Sequence, residues 1–98
     1  MELFNIYVIY TAKDADSRTK FLQELHDSGV VAAVRAEDGC LRYDYYTSYQ
    51  DDVTILLVEQ WESEHHQKVH ITQPHIATLR QIKEKYIADS RLGKIQFE

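Results

Sequence analysis

Short runs of hydrophobic residues recur along the chain, and their spacing predicts four strands. Residues 3–10 (LFNIYVIY) are apolar at odd and even positions alike, which is typical of a strand buried on both faces. The Tyr-rich segment 40–49 (CLRYDYYTSY) and the segment 53–61 (VTILLVEQW) form a hairpin around the polar turn 50–52. Residues 92–97 (LGKIQF) are predicted to form the last strand.

The segment between the first two strands has helical spacing. Asp14 or Asp16 can cap a helix here, since a carboxylate at that position accepts the free N–H groups of the first turn. Phe21 and Leu25 then lie on its apolar stripe. Gly29 either ends this helix or bends it, because the residues that follow are again amphipathic with helical spacing.

The segment after the hairpin predicts two more helices. Ser63 is a suitable N-cap for a two-turn helix over residues 64–71. Pro74 starts the next helix, because its missing N–H group costs nothing in a first helical turn. The residues that share one face of that second helix are His75, Leu79, Ile82 and Tyr86.

The order of the elements is βαββαβ, which indicates an α+β protein with a ferredoxin-like fold, an antiparallel sheet with helices on one face. At 98 residues the chain is expected to form a single domain, residues 1–98. The helices can cover only one face of such a sheet, yet residues 3–10 and 54–58 are apolar on both faces. We therefore expect a homodimer packed sheet against sheet. The alternative is that some of the tyrosine hydroxyls simply face water.

Composition narrows the class of partner. The hydrophobic share of 44% and the charged share of 28% are ordinary for a soluble globular domain. The formal charge of −5, with no run of Lys or Arg, argues against nucleic acid and against a membrane surface as partners. The apolar start of the chain is too short for a membrane span and has no basic leader. Together with the single cysteine, Cys40, this favours a cytoplasmic protein.

Four of the five histidines lie within residues 65–75, which raises the question of a metal site. His66 and His70 are four residues apart on a helix, a workable pair of zinc ligands. No cysteine neighbours the cluster and the HExxH pattern is absent; Glu59 and His75 could contribute further ligands, but nothing in the spacing requires it. The pattern therefore favours no metal.

A proton-handling site is the alternative interpretation of the cluster. His70 lies near the end of the shorter helix, and His75 lies in the first turn of the next. The positive end of a helix dipole disfavours imidazolium, so His75 is expected to be neutral and to face an apolar cavity between helix and sheet. Such an imidazole is a plausible general base. The alternative is a structural role, in which a half-buried histidine hydrogen-bonds a loop carbonyl and does no chemistry.

Aromatic and charged residues of the hairpin add candidates for ligand contacts. Trp61 and Glu59 share one face of their strand, where Trp61 either packs in the core or stacks on a flat ligand. Glu59 needs a partner if it is buried, and a histidine or Arg80 could supply one. Tyr43 and Tyr45 alternate with the residues between them, and parity alone leaves open which set meets the helices.

Three segments of the chain resemble the antibiotic biosynthesis monooxygenase family, and especially its quinol monooxygenase branch. They are residues 39–46 (GCLRYDYY), 56–63 (LLVEQWES) and 69–76 (VHITQPHI), in this order and at about the family's spacings. The resemblance covers nearly the whole chain. It implies a ferredoxin-like chain that pairs with a second copy into a dimeric α/β barrel.

The resemblance also implies an activity. The well-known enzymes of the family oxidise phenols or hydroquinones with O2 and use no metal, flavin or haem as a cofactor. The substrate is its own reductant: a base removes a phenolic proton, and the anion donates electrons to O2. Here His75 or His70 is expected to be the base. The residues expected to contact the substrate are Trp61, Glu59, Tyr43, Tyr45, His66 and Arg80.

Two other functions stay open at this point. The first is an isomerase of a small carbonyl compound that uses the same histidines; a phosphorylated compound, as in one branch of the family, would need a cationic phosphate site. Arg42, Lys68, Arg80 and Lys83 are available but form no recognisable phosphate-binding nest. The second is a dimeric ligand-binding or stress-associated protein without turnover.

Overall fold

The computed structural model describes residues 2–96, and its elements follow the order expected from the sequence. Two consecutive helices occupy the first connection, and two more follow the hairpin. The elements are β1 (Phe4–Ala12), α1 (Ala15–Ser28), α2 (Val30–Arg35), β2 (Cys40–Thr47), β3 (Thr54–Trp61), α3 (Glu64–His70), α4 (His75–Tyr86) and β4 (Ile87–Lys94).

The four strands form one antiparallel sheet in the order β2-β3-β1-β4. The two strands of the hairpin are therefore neighbours, while β1 lies between β3 and β4. This is the ferredoxin-like arrangement, so the predicted fold class is confirmed. Within the described residues the sheet is open, and the barrel expected of two copies stays a prediction.

Local polar side chains explain where the helices begin. The Asp14 carboxylate accepts a hydrogen bond of 2.7 Å from the backbone N–H of Ser17, so Asp14 is the cap of α1 and Asp16 is not. Gly29 has a left-handed φ of 75° and both ends α1 and precedes α2. The hydroxyl of Ser63 caps α3, as predicted.

The last strand begins earlier than the sequence predicts. It starts at Ile87, directly after α4, and its pairing with β1 runs from Ile87 opposite Ala12 to Lys94 opposite Ile6. Hydrophobicity did not reveal residues 88–91 (ADSR) because an edge strand exposes much of its surface and can be polar. Phe97, included in the predicted strand, lies outside the described residues.

The helices cover one face of the sheet. Side chains alternate along each strand between this covered face and the opposite face. Ile6, Val8 and Tyr10 point toward the helices and are buried. Tyr43 is 1% exposed on the same face, and its neighbour Tyr45 packs against the core beside it. The parity question is therefore answered: this pair of tyrosines meets the helices.

The other face of the sheet carries a patch of apolar side chains that none of the described helices covers. It consists of Tyr7, Ile9, Leu56 and Val58 on the two central strands. The Tyr7 ring lies so close to Gly93 of the neighbouring strand that no side chain would fit there. We call these four residues the open face.

Candidate active site

The turn between α2 and β2 brings an acidic side chain to the helices. The N–H of Glu37 donates to the carbonyl of Val34 over 3.0 Å, and the carbonyl of Glu37 accepts from the N–H of Cys40 over 3.2 Å. Gly39 provides the φ of 79° that this turn requires. The ring of His66 packs against Gly39 so closely that a Cβ atom would collide with it.

Glu37 accepts hydrogen bonds from the two histidines at the junction of α3 and α4. The Nδ1–H group of His70 donates to Oε2 of Glu37 over 2.8 Å. The Nε2–H group of His75 donates to the same oxygen over 2.7 Å. The side chains of Glu37 and His70 are only 9% and 5% exposed, whereas His75 is 24% exposed. Because the site is largely dry, these charge-assisted hydrogen bonds hold both rings firmly.

The hydrogen bond to Glu37 sets the tautomer of His70. A neutral imidazole that donates from Nδ1 keeps its lone pair on Nε2, where it can accept a proton. Within residues 2–96, Nε2 of His70 forms no hydrogen bond. His70 also lines the cleft between the helices and the sheet. The arrangement can therefore present a proton acceptor to a bound molecule.

Two aromatic side chains fix the plane of the His70 ring. The Trp61 ring centroid lies 4.7 Å away with the planes inclined by 36°, and the Tyr43 ring lies at 5.8 Å. Trp61 is fully buried, and Tyr43 is held in turn by a hydroxyl–hydroxyl contact of 3.3 Å with Tyr45. Because these rings pack on His70 from the sheet side, its imidazole has little freedom to turn.

Glu59 is a buried carboxyl group in the same cleft. It is 5% exposed, and its Oε1 atom accepts a hydrogen bond of 3.0 Å from the indole N–H of Trp61. The expected partner was a histidine or Arg80, whereas the bonded partner is the adjacent tryptophan, two residues along the same strand face. Burial raises the pKa of the Glu59 carboxyl, so the group ionises at a higher pH than an exposed glutamate.

The cleft has a volume of about 200 Å³ and lies between α4 and the helix-covered face of the sheet. Val8, Leu79 and Leu92 give it apolar walls. This is the size and character of a site for a small, partly apolar molecule. The site residues predicted from the sequence that line it are His70, Glu59, Tyr43 and Arg80.

The other predicted site residues lie outside the cleft lining. Trp61 and Tyr45 are behind it, in the core, where they support His70 and Tyr43. His75 points to Glu37 and not into the cleft. His66 lies on the far side of Glu37, where its ring is 2.7 Å from the Ser63 hydroxyl and 3.4 Å from the Asp38 carboxylate. The two histidines are close along the chain to His70, but a helix turns neighbouring side chains to different sides, so only His70 reaches the cleft.

Two further observations concern the cysteine and the histidine cluster. Burial raises the pKa of the Cys40 thiol to about 11, which fits a packed side chain better than a nucleophile. His66 and His70 make separate contacts, to Ser63 and to Glu37. Among the described residues, no group of three or more His, Cys, Asp or Glu side chains is arranged to hold a metal ion.

Sequence reasoning missed Glu37 and underrated Lys83. Glu37 is not among the candidate residues that the sequence suggested, and it reaches His70 across 33 residues of chain. A signal was available, since a histidine that acts as a base commonly has a carboxylate behind it, but several acidic residues could have filled that role. Lys83 lines the cleft one helical turn after Arg80. The contact of Glu37 follows no sequence periodicity, whereas Lys83 follows Leu79 and Arg80 at helical spacing, which was a usable signal.

These features define a class: a ferredoxin-like α+β protein with a small cleft between helix and sheet and a carboxylate-bound histidine in its wall. The family model of antibiotic biosynthesis monooxygenases matches residues 6–81. The chain belongs to this family, as the three resembling segments indicated. No curated protein matches the chain. None of the helices in residues 2–96 is long and apolar enough to cross a membrane.

Solved structures share the fold. A protein of Nitrosomonas europaea, provisionally described as an antibiotic biosynthesis monooxygenase, superposes with a TM-score of 0.85 at 17% identity and covers 95% of this chain and 88% of its own. A Pseudomonas aeruginosa protein has a TM-score of 0.80 at 21% identity, with 100% and 96% covered. A Mycobacterium tuberculosis protein has a TM-score of 0.80 at 22% identity, with 99% and 96% covered. At these identities the likeness concerns the fold alone.

Proposed function

We propose that this protein is a cofactor-independent monooxygenase that oxidises a quinol or a similar small aromatic compound with O2. The observation that carries the proposal is the hydrogen bond from Nδ1 of His70 to Glu37 in the wall of the cleft. It leaves Nε2 of His70 as the proton acceptor next to a bound molecule. We accordingly assign the general base to His70, and we assign to His75 a supporting role on Glu37.

The reaction begins with proton transfer from a phenolic hydroxyl of the substrate to Nε2 of His70. The resulting phenolate transfers one electron to O2, and the two radicals combine to form a C–O bond at the neighbouring ring carbon. His70 returns its proton to the distal oxygen of this peroxide. The O–O bond then breaks, the ring carbon loses its hydrogen as a proton and becomes a carbonyl, and the distal oxygen leaves as water.

Polar groups of the cleft are suited to hold the developing peroxide. The Glu59 carboxyl lies in the cleft wall, and its raised pKa favours a form that can donate a hydrogen bond to an anionic oxygen. Tyr43 also lines the cleft. The apolar walls at Val8 and Leu79 exclude water, which strengthens these interactions and limits side reactions.

We also propose that residues 1–98 act as one domain and that two copies pair through the open face. The open face presents Tyr7, Ile9, Leu56 and Val58 together. Val58 is already buried in the single chain, but a monomer would leave the partly buried side chains of Tyr7, Ile9 and Leu56 in contact with water, at a cost that a second copy removes.

The test of the activity is oxygen uptake by the purified protein with hydroquinone as substrate. Uptake is expected in the wild type and is expected to fall by roughly 100-fold or more in His70→Ala, because general base catalysis is worth about that much. His65→Ala is the matched control, since His65 is exposed on the same helix. Anaerobic incubation should abolish product formation.

Two outcomes would contradict the assignment. Oxygen uptake at an unchanged rate in His70→Ala would remove His70 as the base. Absence of uptake with hydroquinone and with substituted quinols would leave a ligand-binding protein or an isomerase, and product formation without O2 would favour the isomerase.

A further inference from the structure

Helix α4 presents two basic side chains to the cleft. Arg80 and Lys83 are three residues apart, so they lie on the same face of the helix, and both line the cleft together with Glu59 and His70. Lys83 is partly buried, and its ammonium group lies 5.5 Å from the centroid of the Tyr10 ring. The ring face attracts the cation but does not neutralise it.

Neither of these two cations forms an ion pair with a carboxylate within residues 2–96. The chain carries 16 acidic and 11 basic residues, so carboxylates are in surplus. Other lysines do find them: the pairs are Lys20–Asp16, Lys68–Glu64 and Lys85–Glu24. The cleft therefore holds two basic groups without a direct carboxylate partner among the described residues, and Glu59 acts on Lys83 only over a distance longer than an ion pair.

The surroundings of the two basic groups also bear on their charge. Glu59 is a carboxyl that shares the cleft with them; burial raises its pKa, and its hydrogen bond with Trp61 and the charge of Lys83 partly oppose that shift. Burial, and then the neighbouring Arg80, lower the pKa of Lys83, and the charge of Glu59 opposes this shift only in part. A bound anion would relieve both effects.

We propose that Arg80 and Lys83 form a binding site for an anionic substituent, a carboxylate or a sulfonate, on the aromatic substrate. The ring of that substrate would lie against the apolar wall formed by Val8, Leu79 and Leu92. The inference rests on the proposed function and adds the substrate class: an aromatic acid and not a neutral quinol. The fork of an arginine and the point charge of a lysine are together suited to one oxyanion group.

The test compares three probes by anaerobic calorimetry, which measures binding without turnover. Gentisate is hydroquinone with one ring carboxylate, methyl gentisate is its neutral ester of nearly the same shape, and hydroquinone sulfonate carries the other anionic group. Gentisate and the sulfonate are expected to bind wild type about tenfold or more tighter than the ester, as charge-assisted hydrogen bonds predict. The preference should shrink as salt is added.

Variants distinguish binding at a local anion site from attraction by the overall charge of the protein. The double variant Arg80→Gln with Lys83→Gln should lose the preference for gentisate over its ester while still binding the ester. The control is Lys20→Gln with Lys68→Gln. It also removes two positive charges, but from exposed positions, and it should keep the preference for gentisate. Equal binding of gentisate and the ester to wild type, or an equal loss of preference in the control, would overturn the inference.

The outcomes distinguish this inference from the proposed function. Oxygen uptake with hydroquinone and no preference for gentisate would refute the anion site and leave the proposed monooxygenase activity standing. A preference for gentisate that depends on Arg80 and Lys83, without oxygen uptake on any probe, would support the anion site and refute the activity. Tighter binding of inorganic phosphate than of gentisate would overturn the aromatic acid in favour of a phosphorylated ligand.

Discussion

The Nδ1 atom of His70 lies 2.8 Å from Oε2 of Glu37, although the two residues are 33 positions apart in the chain. The carboxylate belongs to the turn before β2 and the imidazole to the end of α3, so the contact exists only when both helices are docked on the sheet. It orients one histidine ring and determines which of its nitrogens is free. The proposed chemistry depends on this relationship.

Replacing Glu37 with glutamine tests whether it is a positioning residue for the base. Glutamine is nearly isosteric with glutamate but neutral, so its carbonyl oxygen could still accept from the two N–H groups but without the charge that strengthens those bonds, and its NH2 group would replace Oε1 beside Nδ1 of His70. The variant Glu37→Gln should lower kcat for quinol oxidation by roughly 10- to 100-fold and change KM little. Steady-state oxygen uptake measures both constants.

The control for this change is Glu64→Gln, since Glu64 is an exposed carboxylate on α3 whose partner is Lys68. It should leave both kinetic constants unchanged. An increase in KM without a loss of kcat in Glu37→Gln would show that Glu37 shapes the binding site and does not act through His70.

Oligomeric state follows from the open face. A lysine at position 56 would place a charge in the proposed sheet-to-sheet contact, so Leu56→Lys should convert a dimer into a monomer. Sedimentation equilibrium measures this directly. Val69→Lys is the control, because Val69 is an exposed apolar residue on α3, away from the open face, and 42% of it is already accessible. A wild-type protein that sediments as a monomer would refute the dimer.

Two glycines with the same backbone conformation allow the cost of backbone strain to be measured apart from the cost of a steric clash. Gly29 and Gly39 have φ values of 75° and 79°, so alanine is strained at either position, by about 1 to 2 kcal/mol. A Cβ atom at Gly29 would meet no atom within 4 Å, whereas at Gly39 it would collide with the ring of His66. Urea unfolding should show a larger loss of stability in Gly39→Ala than in Gly29→Ala. Equal losses would mean that the His66 ring moves aside freely.

The buried Glu59 carboxyl predicts a pH-dependent stability. Its pKa is raised in the folded state, chiefly by burial, so as the pH rises past the ordinary value of about 4.3 the unfolded chain ionises first. Its contribution to stability is therefore present below that value and is lost as the pH rises through the folded-state pKa. Glu59→Gln cannot ionise and should lose less stability than wild type over this range.

Thermal unfolding of both proteins between about pH 4 and about pH 7 measures this difference. Glu84→Gln, at an exposed position of α4, is the control and should follow the wild-type curve. Parallel curves for wild type and Glu59→Gln would show that the carboxyl ionises in the folded state as readily as in the unfolded chain.

Much of the fold could be predicted because local patterns carry it. The capping residue Ser63, the break at Gly29 and the apolar runs of β1 and β3 mark their elements without reference to distant residues. The start of β4 could not be predicted, since residues 88–91 are polar and become a strand only by pairing with β1. The parity of Tyr43 likewise depends on which face the helices cover.

The candidate site could likewise be predicted from the sequence only in part. The family, the order of strands and helices, and the concentration of histidines at the junction of two helices can all be read from the amino-acid sequence. The packed molecule was needed to show that His70 lines the cleft, that His75 binds Glu37, and that Arg80 and Lys83 share that cleft without acidic partners among the described residues. The physical reason is range: helix and strand patterns arise between residues a few positions apart, whereas a site is made by side chains that meet only when the sheet and helices pack together.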